Sequence, residues 1–302
     1  VNPEKTVCEI SPYIYGINSG ADTTKVTAKS YRIGGNRLTA YNWENNVSNA
    51  GSDWHHTSDM YLVNNVDEKL KTAPGGVALD AAETISESKI PYGLLTLQML
   101  GYVSSEKQGE VSEKNAAPSS WWCKVENRKG SEFSMTPDLT DGVVYTDEYL
   151  KYLFKKLGKS DGKKGFKGYA LDNEPVLWMH THSRIQAEPL NCTELIEKSV
   201  DLASVVKDMD EGADVFGPAL YGYSAFNNFT DTPDWKKIKS DNGYRWFIDY
   251  YLDSMKKAED EQGRRLLDVL DLHFYTEAKG VCGERSCNHY DNDGCIQARL
   301  DS

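Results

Sequence analysis

The sharpest chemical signal in this 302-residue chain is the run Gly168-Tyr-Ala-Leu-Asp-Asn-Glu-Pro175. A short apolar stretch ends in Asn173-Glu174, and Pro175, with no amide hydrogen to donate, stops any ladder there. Hydrolysis of a glycosidic bond requires two such carboxyl groups. One protonates the departing oxygen and the other works across the bond. An Asn beside the acid can donate to a sugar 2-hydroxyl, a contact that strengthens as the oxocarbenium-like transition state forms. Glu174 is therefore a candidate general acid/base and Asn173 a candidate substrate contact. Taken alone, Asn-Glu-Pro reads equally well as a strand entering a solvated turn.

Other residues of suitable chemistry lie near predicted strand ends. Asn36 follows Gly34-Gly35, where absent side chains let backbone approach a ligand. Trp54 and Trp178 offer flat rings to stack on sugar, and His273 and Tyr275 end the run Asp271-Leu-His-Phe-Tyr275. Each reads as a substrate contact or as ordinary packing. Arg32 is a candidate ion-pair partner for a catalytic carboxylate. Glu44, Asp138 and Asp141 supply hard oxygen ligands of the kind calcium takes, against the plainer reading of a solvated acidic turn. His55-His56 and His180-Thr-His182 contain zinc-ligand types, but no third ligand motif accompanies them, and a metallohydrolase is set aside.

These side chains need a frame. Short apolar runs alternate with polar helical stretches, the pattern of repeated βα units. Strands are predicted over Tyr13–Asn18, Ser30–Gly34, Tyr92–Leu97, Gly168–Asp172, Val215–Ala219 and Val269–Phe274. Helices are predicted over Ala78–Ser88, Asp147–Lys156, Thr193–Asp208 and Trp246–Gln262. Three long loops, Leu38–Asp67, Gly101–Thr146 and Tyr221–Tyr244, each follow the C-terminal end of a strand and are rich in Trp, Tyr, Asn and Asp. A barrel of this kind builds its site from such loops, and the mixture suits a polysaccharide cleft.

Bulk properties narrow the partners. A net charge of −12 argues against nucleic acid, whose phosphates reward a basic face. No run approaches the roughly 18 apolar residues of a membrane span. Val1-Asn2-Pro3-Glu4 lacks the basic and apolar regions of a signal peptide, as at a mature terminus. Cysteines fall at 8, 123, 192, 282, 287 and 295. The last three, beside Asp291-Asn-Asp-Gly294, read as a disulfide-pinned loop of a secreted protein in preference to free thiols or a zinc site using His289.

Tyr31-Arg-Ile-Gly-Gly-Asn-Arg-Leu-Thr-Ala-Tyr-Asn-Trp-Glu-Asn-Asn-Val-Ser-Asn-Ala-Gly-Ser-Asp-Trp54 resembles glycoside hydrolase family 44. So do Ile10-Ser-Pro-Tyr-Ile-Tyr-Gly16, Leu95-Thr-Leu-Gln-Met99, Leu171-Asp-Asn-Glu-Pro175 and Asp271-Leu-His-Phe-Tyr275, in order along the chain. The resemblance implies a (β/α)₈ TIM barrel with a smaller β-sandwich, and retaining endo-β-1,4-glucanase activity on cellulose-type glucans, often with xyloglucan. It places the acid/base on Glu174, supports a structural Ca²⁺ near Glu44, Asp138 and Asp141, and implies no catalytic cofactor. The family nucleophile lies on the seventh strand, beyond Ser302, and Glu277 is rejected for that role. Six strands are found, so residues 10–302 are expected to supply strands 1–6. Residues 1–9 are expected to add a strand to the small β-domain, and a further segment or second chain to complete the barrel. Another β-glycanase specificity, such as xylanase or mannanase, and a catalytically silent carbohydrate-binding protein remain the alternatives.

Overall fold

The apolar runs form one six-stranded parallel sheet in the computed structural model, which describes residues 10–274. The strands are β1 (Gly16–Asn18), β2 (Ser30–Ile33), β3 (Tyr92–Leu97), β4 (Gly168–Leu171), β5 (Asp214–Tyr221) and β6 (Val269–His273). They pair in chain order, every pair parallel. Repeated βα units, whose crossovers are right-handed as a rule, generate this order. β3 is buried at all six positions and β4 at all four, which is why these segments read as unbroken apolar runs rather than as alternation.

Four helices carry the chain between strands: α1 (Gly76–Glu87), α2 (Thr146–Leu157), α3 (Cys192–Met209) and α4 (Phe247–Gln262). Successive helices pack on one another, each setting apolar residues against the sheet. In α2, Asp147 and Glu148 lie in the first turn and Lys155 and Lys156 in the last, complementing the helix dipole. The start of α3 is capped by Asn191, whose Oδ1 accepts from the Glu194 amide at 2.8 Å.

The long loops carry structure of their own. Ser48–Asn49, Thr57–Asp59 and Gly109–Glu110 form one small sheet. Tyr102–Ser104, Trp122–Glu126 and Val143–Tyr145 form another, while the third loop folds into the helices Gly222–Asn228 and Trp235–Asn242. The first strand is shorter than expected, because Pro12 opens a 3-10 turn over Pro12–Ile14 whose start Ser11 caps through Tyr13 N. Among the described residues β1 and β6 each have one strand neighbour, so six strands of the expected eight are seen and the sheet is not closed. The expected strand in residues 1–9 lies outside the described residues, as do Tyr275, Glu277 and Cys8, Cys282, Cys287 and Cys295. Cys123 and Cys192 are free thiols.

Candidate active site

The chain turns sharply where β4 ends. Asp172 and Glu174 both adopt left-handed backbone, with φ of +63° and +48°. Non-glycine residues are uncommon there and are found where surrounding structure holds them. The Glu174 amide donates to the Ala219 carbonyl of β5 at 3.0 Å, which fixes the turn against its neighbour. From β2, Arg32 Nη2 donates to Asn173 Oδ1 at 2.8 Å. That bond orients the amide and leaves its NH₂ as the donor a hydroxyl would meet. From β6, His273 Nδ1 stands 2.7 Å from Glu174 Oε1. Four strands thus bring Arg32, Asn173, Glu174 and His273 together at the C-terminal end of the sheet.

This geometry corrects several expectations. Among the described residues Arg32 donates to the Asn173 amide and pairs with no carboxylate. Gly34 makes room for it, since a Cβ there would sit 2.5 Å from the Arg32 guanidinium carbon. His273, expected to face substrate, is turned onto Glu174; the two heavy atoms share one proton, donated by whichever group carries it. The Glu174 and His273 side chains are 18% and 12% exposed, so the pair is reachable without being bathed in water.

Trp178 is no stacking platform. It is 1% exposed, and its Nε1 donates to the Asn173 carbonyl at 3.1 Å, so the ring packs beneath the Glu174 turn. Nor does Asn36 offer its amide hydrogens to a ligand. Its Nδ2 donates to the Ala50 carbonyl at 3.1 Å and to Asp53 Oδ2 at 2.9 Å, bracing the turn Gly51–Trp54. Trp54 at the end of that turn is 62% exposed, with its edge against His55. Asp53 was not among the expected site residues, because an exposed Asp in a polar loop carries no local signal of its partner 17 residues away. Tyr275 lies outside the described residues.

The acidic residues converge elsewhere. Trp43 is buried and stacks on Tyr149 of α2 with ring centroids 5.0 Å apart, which carries Glu44 inward beside Glu148. Glu44 is 6% exposed and lines a cavity of about 270 Å³ together with Asp138 and Asp141. Burial first, then the Asp141 and Glu148 carboxylates, push its carboxyl from 4.5 up to about 8, against the pull of Lys129. This charge balance fits a cation. The side chains are not assembled for one: Asp138 accepts from Thr140 and Asp141 from Val143, and no three His, Cys, Asp or Glu side chains among the described residues are grouped to hold a metal. Of the histidines, His180 is exposed, while His182 is buried and pushed down to about 3 by burial first and then by His56.

Comparison with known proteins places this geometry. A solved endoglucanase of Clostridium thermocellum is 50% identical and superposes with a TM-score of 0.91, over 97% of this chain and 57% of that one. A Paenibacillus polymyxa xyloglucanase, solved with xyloglucan, is 46% identical with a TM-score of 0.90, over 97% of this chain and 57% of that one. Endoglucanase A of Paenibacillus lautus is 48% identical over 93% of this chain and 40% of its own length. The chain therefore spans about half the length of the relatives it matches. The model of glycoside hydrolase family 44 matches residues 47–278, and with strands, turn and carboxyl group all in place, the chain belongs to that family.

Proposed function

We propose that this chain carries the acid/base half of a retaining endo-β-1,4-glucanase acting on cellulose-type glucans and xyloglucan. The observation that carries the reading is Glu174, held at a strand tip between Asn173 and His273 and partly open to solvent. In the first step Glu174 protonates the glycosidic oxygen while a second carboxylate, about 5–5.5 Å away in retaining enzymes, attacks the anomeric carbon. In the second step Glu174 takes a proton from the water that releases the sugar. Asn173, oriented by Arg32, donates to the 2-hydroxyl as charge develops. Names of the relatives, endoglucanase and xyloglucanase, support the substrate class.

The same reading includes closure of the sheet into a (β/α)₈ barrel, whose two remaining strands would cover the free edges of β1 and β6 and supply the nucleophile. It includes secretion, since a polymer of this size cannot enter a cell. It also includes a calcium-class cation held by Glu44, Asp138 and Asp141, supplying charge neutralisation and loop stability rather than chemistry. Charge supports the cation; its ligands would have to draw together.

Glu174→Gln tests the central assignment. General acid catalysis is worth about 10²–10⁴-fold. The variant is expected to lose about that much kcat on cello-oligosaccharides while retaining its fold. Unchanged turnover would refute the role.

A further inference from the structure

We propose that Asp172 is a positioning residue for Glu174, clasping the tips of β3 and β4 so that the acid/base carboxyl is held in line with the bond it protonates. The proposal rests on the reading of Glu174 given above. Asp172 is fully buried and accepts four hydrogen bonds from three segments of the chain. Oδ2 takes the amides of Met99 at 2.6 Å and Leu100 at 3.0 Å, just past the end of β3. Oδ1 takes the Thr39 hydroxyl at 2.6 Å, from the turn after β2, and the Asn173 amide at 2.8 Å. The backbone of Asp172 adds its own bond to the Leu97 carbonyl at 3.1 Å.

The consequence falls on Glu174. Asp172 ties one side of the turn to β2 and β3, and the Glu174 amide ties the other side to Ala219 of β5. Two left-handed residues within three positions would not keep this shape unaided. Every donor to Asp172 is neutral, so the carboxylate sits in the interior with no cationic hydrogen-bond partner. Burial pushes its carboxyl up to about 6, with the four donors pulling the other way. A neutral side chain would be cheaper to bury. Only a carboxylate, however, accepts on both oxygens, and four donors converge here.

Asp172→Asn isolates this feature. One amide oxygen can still serve Met99 and Leu100. The NH₂ then stands against Thr39, whose hydroxyl can rotate to accept, and against the Asn173 N–H, which cannot. The mismatch therefore lands on the residue preceding Glu174. The test, in the full-length protein, compares kcat/KM for cellotetraose, which needs protonation of its leaving group, with kcat/KM for a 2,4-dinitrophenyl cellobioside, which does not. A carboxyl displaced by about 1 Å loses on the order of 10–10²-fold. Asp172→Asn is expected to lose that much on cellotetraose and less than about threefold on the aryl substrate, with KM little changed. Equal losses on both substrates, as a folding defect gives, or no loss on either, would overturn the proposal. Should Asp172→Asn fail to fold, Thr39→Val removes one donor at constant shape and carries the same test. It is expected to show the same selectivity at about 3–10-fold, and equal effects on both substrates would again overturn the proposal. Glu174→Gln run alongside separates the two ideas. If it loses cellotetraose activity while Asp172→Asn shows no selectivity, only the positioning role falls. If it keeps wild-type activity, the acid/base reading falls and takes this one with it.

Discussion

Replacing Glu44 with Gln is expected to stabilise the cation-free protein at alkaline pH and to abolish its response to calcium. The carboxyl is 6% exposed and carried from 4.5 to about 8, by burial first and then by Asp141 and Glu148. Between those values the folded form keeps a proton that the unfolded form has released. Stability therefore falls as pH rises through the window, and the whole penalty is present above about 8. Each pH unit is worth about 1.4 kcal/mol, so the ceiling is roughly 5 kcal/mol. The cavity opens to solvent, which screens the ionised form and brings a realistic value to about 2 kcal/mol. In a chain of 302 residues that corresponds to roughly 3 °C in Tm. The assay is a set of thermal melts at about pH 5.5 and pH 9, in EDTA and in millimolar calcium, with wild type and Glu44→Gln side by side so that other titrating groups cancel. In EDTA the wild type should lose about 3 °C more than the variant on going alkaline, and calcium should erase the difference by binding the folded state alone. Identical pH dependence of the two proteins in EDTA would show that no buried carboxyl titrates at Glu44. A wild type indifferent to calcium would remove the cation.

The two tryptophans should behave oppositely. Trp178→Ala, at a position 1% exposed, is expected to destabilise by about 3–5 kcal/mol in chemical denaturation; a variant as stable as wild type would contradict the packing role. Trp54→Ala, at a position 62% exposed, should leave Tm unchanged and raise KM for long oligosaccharides about fivefold, from a stacking contribution near 1 kcal/mol. A fall in Tm without a change in KM would place that ring in the fold rather than in the cleft.

β3 and β4 were legible in the residues because parallel strands buried on both faces read as apolar runs. The apolar run Tyr92–Leu97 coincides with β3. Glu174 was legible for a related reason: an acid followed by Pro after such a run has to sit at a strand tip. What surrounds it was not. His273 meets Glu174 across 99 residues of chain, and Arg32 meets Asn173 across 141. Neither partner carries a local pattern that names the other. Trp178 in a polar loop fits a cleft or a core equally well, and only the packing of the turn that follows β4 decided for the core. Local sequence determines which segments are strand or helix, because periodicity and backbone chemistry act over a few residues. Which side chains meet at the end of the sheet is decided by strand order and register, and those are fixed only when the whole sheet is packed.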